Sequence, residues 1–210
     1  MIVTVLGATG RTGRLLVAEL VGRGHEVTAL VRDPYGAPEE THLVVGDSRD
    51  PRALAAALAG AQAVVSALGP VGQDQHLHRD SATGLVSAIA AARIRRYIGI
   101  SGAGVNAPGD RKRTRDRVIS AGMGLVARGM VADKTAELAR WRHTQMDWTL
   151  VRPPRLVDGP ATGKVEHHPR ISTRSSRMHR ADLAVFLTDV LEQDLYLRQA
   201  PFAATTAPAP

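Results

Sequence analysis

The feature of this sequence that most constrains its fold is a glycine-rich turn near the start of the chain. The apolar run Ile2–Leu6 precedes the turn GATGRTG at residues 7–13, and residues 12–21 follow with helical spacing. Glycines three residues apart allow a tight turn, a close approach of the backbone to an anion, and close packing of the helix on the strand. Amides at the front of that helix and its dipole favour a pyrophosphate. The turn predicts dinucleotide binding, with a purely structural turn as the alternative, and the predicted contacts are Gly7, Thr9, Gly10, Arg11, Thr12 and Gly13.

Apolar runs and helical patterns alternate along the rest of the chain. The predicted strands are residues 2–6, 27–31, 43–45, 63–66, 97–100 and 148–151. The predicted helices are residues 12–21, 51–58, 81–92, 130–142 and 181–191. Strands that alternate with helices form βαβ units around a parallel sheet, and right-handed crossovers place the helices on both faces. We therefore predict a doubly wound α/β fold.

The chain has 210 residues, the length of one domain, which we place at residues 1–202 with a flexible tail at residues 203–210. Two stretches, residues 102–128 and 153–179, lack a clean period, and we interpret both as irregular loops. Both leave the carboxyl ends of strands, the edge at which open α/β sheets bind ligands. The two loops are therefore the predicted walls of a substrate site.

Composition narrows the classes of function. The chain has no cysteine, which excludes disulfides and thiolate chemistry, and it has no apolar run long enough to span a membrane. It also begins without a basic and then apolar leader, so we expect a cytoplasmic protein. The net charge is +7, with 24 Arg and 3 Lys against 20 acidic residues. This balance attracts anions, but few aromatic residues and no nucleic-acid motif argue against DNA or RNA as the main partner.

Six short motifs in a fixed order carry a resemblance to a known family. They are GATGRTG, VRDP, VVGDSRDP, VVSALG, IGISGAG and DWTLVRPP. Over roughly residues 1–200 they resemble the atypical short-chain dehydrogenases/reductases, and within that group the flavin reductase/biliverdin-IXβ reductase type and the NmrA-like proteins. The resemblance implies a mainly parallel Rossmann sheet that binds NAD(P), with small C-terminal loops on the substrate side. We expect a monomer or a homodimer.

The residue after the second predicted strand bears on the choice between NADP and NAD. Arg32 takes that place, beside the expected adenosine ribose, where arginine accommodates a 2′-phosphate and a carboxylate holds a 2′-hydroxyl. Asp33, 20 residues after Gly13, is the competing ribose ligand, but Pro34 follows it and favours a turn. We therefore favour NADP and keep NAD open, with Arg11 as a further cation near the phosphates.

Two other strand ends are predicted to contact the cofactor. Asp47 and Ser48 follow the third strand, where the resembled family contacts adenine, and a helix cap before Pro51 is the alternative. Small residues and exposed backbone after the fourth strand would let the cofactor pass along the sheet edge, and an ordinary turn is the alternative. The residues predicted there are Ala67, Leu68 and Gly69.

The reacting centre is predicted around Ser101 and Lys134. Ser101 ends the fifth strand and matches the family's active-site Ser or Thr, which would bond a substrate carbonyl or the carboxamide; a local turn is the alternative. Lys134 lies 19 residues before Pro153, which resembles the spacing of the family's ribose-binding lysine; a solvated helix face is the alternative. Tyrosine-dependent relatives carry a tyrosine four residues before that lysine, and here Met130 stands in its place.

The absence of that tyrosine shapes the expected activity. Carbonyl reduction gains about 10²–10⁴-fold from a positioned acid. A flavin or quinone delocalises the added electrons and takes protons from solvent. We therefore predict NADPH-dependent hydride transfer to a small planar acceptor such as a flavin or quinone. A noncatalytic NAD(P)-sensing regulator of NmrA-like type is the rival hypothesis, and a sugar epimerase or ketone reductase comes third.

The residues after the sixth strand complete the predicted site. In the resembled family, prolines such as Pro153 and Pro154 shape the wall beside the nicotinamide, although structurally they simply end a strand. Arg155 follows them, and its charge would suit an anionic flavin or tetrapyrrole. The two close histidine pairs of the sequence lack helical i, i+4 spacing and a carboxylate cluster, so we predict no metal site.

Overall fold

A parallel sheet of six strands lies at the centre of the computed structural model, which describes residues 1–69, 74, 76–113 and 125–206. The spatial order is β3-β2-β1-β4-β5-β6, with every neighbouring pair parallel. The strands are β1 (Ile2–Leu6), β2 (Glu26–Val31), β3 (His42–Val45), β4 (Ala63–Ser66), β5 (Arg96–Ile100) and β6 (Asp147–Val151). This is the strand order of a doubly wound Rossmann sheet, which confirms the predicted fold class.

Helices cover both faces of the sheet, so the apolar β-strands are buried from two sides. They are α1 (Arg11–Gly22), α2 (Pro51–Ala57), α3 (Leu77–Ala91), α4 (Leu125–Arg142) and α5 (Arg180–Glu192). Helices α1 and α5 pack together and form one core with the sheet, whereas α2, α3 and α4 form the other. No helix in the described part of the chain is long and apolar enough to cross a bilayer.

Helix α4 begins earlier than predicted. Residues 125–128, expected to end the loop after β5, already belong to α4, while residues 114–124 of that loop lie outside the described residues. Residues 153–179 were expected to be irregular, and this prediction is also wrong in part. They contain β7 (Arg155–Val157), β8 (Val165–His168) and β9 (Arg177–His179), whose three or four residues are too few to show a period.

The predicted flexible tail is wrong for residues 203–205. They form β10 (Phe202–Thr205), which is buried and pairs antiparallel with β8. The physical reason is that Phe202 anchors the strand beneath the Arg152 guanidinium, 3.8 Å from its ring centroid, while the small side chains that follow fit into the core. Residues 207–210 of the predicted tail lie outside the described residues.

A buried arginine fixes the first described part of the loop after β5. Arg152 has no exposed surface, and its guanidinium holds both carboxylate oxygens of Asp110, at 2.6 and 2.8 Å. It also donates to the carbonyl oxygens of Val105, at 2.9 Å, and Ala200, at 2.7 Å. One side chain therefore ties the loop after β5 to the chain segment that leads into β10. Both segments border the cleft described below.

Candidate functional site

The glycine turn after β1 has a geometry that only glycine satisfies. Gly7 has a φ of +75°, and the Gly10 amide donates to its carbonyl oxygen at 3.0 Å. A Cβ atom on Gly7 would lie 2.8 Å from the Ala67 carbonyl oxygen, and one on Gly13 would lie 2.0 Å from the Gly7 carbonyl oxygen. The N-cap of α1 is Gly10, which has no side chain to bond the first-turn amides. Those amides therefore remain available to an anion, as a pyrophosphate cradle requires.

Two arginines flank this turn. Arg11 is largely exposed and contacts Asp158 at 3.3 Å, and the same carboxylate accepts a 2.7 Å bond from Arg180. Arg14 donates to the Thr9 carbonyl oxygen at 3.1 Å. Arg14 therefore places positive charge against the turn, whereas the Arg11 charge is paired with Asp158. Arg14 was missed at the level of sequence, because its position in the first turn of α1 looks like ordinary solvated surface.

The end of β2 has the arrangement expected for the adenosine side. Arg32 is exposed, and within the described ranges its guanidinium makes no hydrogen bond or ion pair. The Asp33 carboxylate accepts a 2.8 Å bond from the Tyr35 amide, so it caps a turn, as Pro34 indicated. Arg14 reaches the same loop, since its guanidinium lies 2.9 Å from where a Cβ of Gly36 would be. Arg14 and Arg32 bring two positive charges to the end of β2, and the Arg32 charge also helps to lower the pKa of Asp47.

The residues after β3 separate into two environments. Asp47 is held by Arg49, with Nε to Oδ1 at 2.9 Å and Nη2 to Oδ2 at 3.0 Å, and this pairing lowers the pKa of Asp47. Asp50, not Asp47, caps α2. Ser48 is buried, and its Oγ lies 2.8 Å from Ser81 Oγ on α3. Asp47 thus keeps an ionised carboxylate at the sheet edge, whereas the Ser48 hydroxyl has a partner inside the protein.

A cleft of about 760 Å³ opens at the carboxyl ends of β4, β5 and β6. The structure brings to it these sequence-predicted residues: Thr12, Ala67, Leu68, Gly69, Ser101, Lys134 and Pro153. The other predicted residues lie outside its lining, at the ends of β1, β2 and β3 or in the turn: Gly7, Thr9, Gly10, Arg11, Gly13, Arg32, Asp47 and Ser48. The two groups follow one sheet edge, which is the path an extended dinucleotide takes across a doubly wound sheet.

Ser101 and Lys134 meet at the end of β5. Ser101 is buried, and its Oγ has no hydrogen-bond partner, so the predicted local turn does not use this hydroxyl. Buried polar atoms are rarely left unpaired, so this hydroxyl is a candidate group for binding a ligand in the cleft. Lys134 is buried as well, and its Nζ donates to the Ile100 carbonyl oxygen at 2.7 Å. A solvated helix face is therefore excluded for Lys134.

A buried polar group lies behind Lys134. The Glu137 carboxyl faces Tyr97 Oη at 3.4 Å and His78 Nδ1 at 3.9 Å. Burial raises the pKa of Glu137 to about 7, against the opposing charge of Lys134, and burial lowers the pKa of His78 to about 3. Burial also lowers the pKa of Lys134, while Glu137 and Asp133 oppose that shift. The charge of each of these two groups therefore affects the pKa of the other.

Glu137→Gln is expected to flatten the decline of stability between about pH 5 and 8. The folded pKa of about 7 lies above the ordinary value of 4.5, so this carboxyl stabilises the fold below about pH 4.5, and that contribution is lost as pH rises through 7. As the pH rises from about 5 to 8, the free energy of unfolding of the variant should increase by on the order of 2–3 kcal/mol relative to that of the unmodified protein. Urea unfolding at both pH values measures the difference. Exposed Glu39→Gln is the control, and parallel profiles for Glu137→Gln and the unmodified protein would show that burial does not govern this carboxyl.

Several lining residues were not found from the sequence. The cleft walls also include Ser172, Thr173 and Arg177, from a segment predicted to be irregular, and Phe202, which directly precedes the predicted tail. No local pattern marks them, because they reach the cleft only through the pairing of β7 with β9 and of β8 with β10. Met130, four residues before Lys134, does line the cleft as its position predicted. The described lining holds neither a tyrosine nor a carboxylate.

Comparison with known proteins gives a family match over most of the chain. Residues 7–194 match a family model described as NAD(P)H-binding. A 3-diazoavenalumate denitrifying reductase from a Streptomyces species is 38% identical over 121 residues, which are 51% of this chain and 40% of that protein. The chain spans about half or less of the length of the first curated relatives it matches.

Two solved structures are similar over nearly their full length. A Burkholderia pseudomallei protein, provisionally described as exported, is 30% identical with a TM-score of 0.83, covering 97% of this chain and 99% of that one. A Streptococcus pneumoniae protein, provisionally described as an NADH-flavin reductase, is 25% identical with a TM-score of 0.83, covering 98% and 100%. The overall fold of this chain is therefore shared with both solved structures.

Proposed function

This chain belongs to the NAD(P)H-binding family, and from that premise we propose that it is an NADPH-dependent reductase of a planar acceptor such as a flavin or quinone. The observation that carries the proposal is the unpartnered Ser101 hydroxyl, buried beside Lys134 in a cleft of about 760 Å³. The names of two relatives support the reaction class, since one is a reductase and the other is provisionally an NADH-flavin reductase.

The residues present fit the coenzyme along its length. The turn leaves no room for a Cβ atom at Gly7 or at Gly13, and it offers the free amides at the front of α1. Both features suit the pyrophosphate. Arg14 and Arg32 would hold the 2′-phosphate. Lys134 donates one of its three N–H groups to Ile100, so the other two are available to ribose hydroxyls. When bound, the reduced nicotinamide supplies a hydride at the mouth of the cleft.

The described lining of the cleft contains no tyrosine and no carboxylate that could act as an acid, and this favours an acceptor that needs none. Met130 occupies the place of a tyrosine acid, Tyr97 is buried behind the sheet edge with Glu137, and Tyr35 is 91% exposed. Reduction of a ketone needs a positioned acid, whereas a flavin or quinone accepts hydride without one. The chain's contribution is to stack the acceptor, to orient it through Ser101 and to exclude water.

The test is steady-state oxidation of NADPH by the purified protein with FMN, riboflavin or menadione as acceptor. We expect turnover with at least one of these planar acceptors and none with simple ketones. Tight binding of NADPH without oxidation by any acceptor would contradict the proposed reductase and favour a sensor of the coenzyme.

Ser101→Ala is expected to slow turnover more than it weakens coenzyme binding. Loss of one hydrogen bond made at the reacting centre costs about 1–1.5 kcal/mol, or about tenfold in kcat. The Kd of NADP⁺ should change by less than about threefold, because the main binding contacts lie elsewhere. Ser87→Ala, on α3 and outside the cleft, is the matched control. A variant that binds poorly but turns over normally would remove Ser101 from the reacting centre.

Arg32→Gln is expected to erase a preference for NADPH over NADH. A charge-assisted bond to the 2′-phosphate is worth about 1.5–3 kcal/mol, so the affinity for NADPH should fall by about tenfold to a hundredfold. The affinity for NADH should stay within about twofold, since it lacks that phosphate. Titration calorimetry with both coenzymes measures this, with exposed Arg140→Gln on α4 as the control. Equal losses for both coenzymes would place Arg32 elsewhere than at the 2′-position.

A further inference from the structure

The lining of the cleft includes two arginines from neighbouring strands. Strands β7 and β9 are parallel, and their register sets Arg155 directly beside Arg177. Both side chains are exposed, and both line the cleft. Neighbouring strands lie about 4.8 Å apart, so two like charges at this register repel each other unless an anion lies between them. Nothing in the described chain supplies one, because neither guanidinium makes a hydrogen bond or ion pair there.

Among the described residues, no acid pairs with this positive charge. Asp158, the acid nearest to Arg155 along the chain, is already bound to Arg11 and Arg180. The charged residues of the described lining are Lys134, Arg155 and Arg177, without a carboxylate. The segment between β8 and β9 lines the same wall, but the hydroxyls of Thr173 and Ser175 donate to nearby backbone carbonyl oxygens. The two guanidinium groups are therefore the donors that suit an anion at this wall.

From this arrangement we propose that Arg155 and Arg177 form an anion site for the acceptor, so that the preferred acceptor is a planar ring bearing a phosphate or carboxylate. This inference rests on the proposed function and names the substrate class of the same cleft. It distinguishes FMN, which carries a terminal phosphate, from riboflavin, which has the same ring and no charge.

The position of the pair separates it from the coenzyme's own phosphates. Those phosphates belong to the turn at the front of α1, from which only Thr12 reaches the lining of this cleft. Arg155 and Arg177 come instead from segments after β6, on the wall that also contains Pro153, Pro154 and Phe202. The pair therefore faces the space beyond the coenzyme, where an acceptor enters.

The backbone that carries the pair is already ordered. Ser175 Oγ donates to the Arg177 carbonyl oxygen at 3.2 Å and accepts from the Arg177 amide at 3.3 Å. Met178, the next residue, has no exposed surface. Arg155 follows two prolines, which restrict its approach to the strand. Because the backbone is fixed, the ordering cost of capturing an anion is confined to the two arginine side chains.

The experiment compares the binding of FMN and riboflavin to the NADP⁺ complex by flavin fluorescence, which requires no turnover. We expect FMN to bind about tenfold or more tightly than riboflavin at low salt, with the ratio falling as ionic strength rises. In Arg155→Gln/Arg177→Gln the ratio should fall to about one, while the Kd of NADP⁺ changes by less than about threefold. Arg140→Gln/Arg142→Gln, an equal change of charge at two exposed residues of α4, should keep the FMN preference.

Three outcomes would overturn the anion site. The first is that the unmodified protein binds the two flavins equally or binds neither. The second is that the double variant keeps the preference for FMN. The third is that the double variant loses much of its affinity for NADP⁺, which would assign the two arginines to the coenzyme. The proposed function fails separately. If FMN binds at the two arginines but is never reduced, the anion site is supported and the proposed reductase is contradicted. If both flavins bind equally and are reduced at equal rates, the reductase is supported and the anion site is contradicted.

Discussion

Gly13→Ala will lower the affinity for NADPH by about a hundredfold, the largest effect expected from any single methyl group in this chain. Its Cβ atom would lie 2.0 Å from the Gly7 carbonyl oxygen and 2.9 Å from Ala8 Cα, both of them backbone atoms that cannot turn aside. Helix α1 must therefore move away from the strand, which takes its first amides out of reach of the pyrophosphate. Losing one or two charge-assisted bonds of about 1.5–3 kcal/mol each accounts for the predicted loss of affinity.

The same variant will be destabilised by about 3 kcal/mol, because overpacking at a backbone contact strains the turn itself. Calorimetry with NADPH and urea unfolding of the apo protein measure the two effects separately. Gly22→Ala, at the end of the same helix, is the matched control, since its Cβ atom meets nothing within 4 Å. Gly22→Ala should bind NADPH normally and gain a few tenths of a kcal/mol in stability. Normal binding by Gly13→Ala would mean that the turn does not hold the coenzyme.

Arg152→Met will destabilise the fold by about 3–5 kcal/mol, the range found when one partner of a buried ion pair is removed. The change leaves the Asp110 carboxylate without its two bonds and frees the carbonyl oxygens of Val105 and Ala200. It also removes the cation that lies over the Phe202 ring. Because these contacts tie the loop after β5 to the segment before β10, the cleft should lose its shape before the sheet unfolds.

A second variant tests whether the unpaired charge is the cause. In Arg152→Met/Asp110→Asn, the new side-chain carbonyl oxygen still accepts the bond from the Ala107 backbone N–H, which Asp110 accepts at 2.8 Å in the unmodified protein. No unpaired carboxylate remains in this double variant. The double variant should therefore be more stable than Arg152→Met alone, by about 1–2 kcal/mol. Urea unfolding of the single variants, the double variant and the unmodified protein gives the coupling energy. Additive losses would show that Arg152 acts through packing and not through its charge.

The sheet and the phosphate turn were predictable from the sequence because each is encoded locally. Strands buried on both faces appear as short apolar runs, and the turn requires glycine at fixed positions for backbone reasons. Ser101 and Lys134 were located by motif spacing, and the structure places both in the cleft. Asp33 was correctly assigned to a turn because a proline follows it.

The acceptor side of the cleft was not predictable, because it depends on contacts between distant segments. Strands β7 to β10 have only three or four residues each and pair across long intervals of sequence. Phe202 directly precedes the predicted tail, and no local pattern indicates its contact with Arg152. The pairing of Arg155 with Arg177 likewise depends on strand register, which neither local sequence discloses.

The most direct test of hydride transfer in this cleft is an anaerobic single turnover of the NADPH complex mixed with FMN or riboflavin, followed by flavin absorbance. The proposed function predicts that the flavin bleaches in step with NADPH oxidation. It also predicts that deuterium on one face of nicotinamide C4 slows both signals, while deuterium on the other face leaves them unaltered. NADPH that binds but stays reduced while the flavin keeps its colour would contradict it.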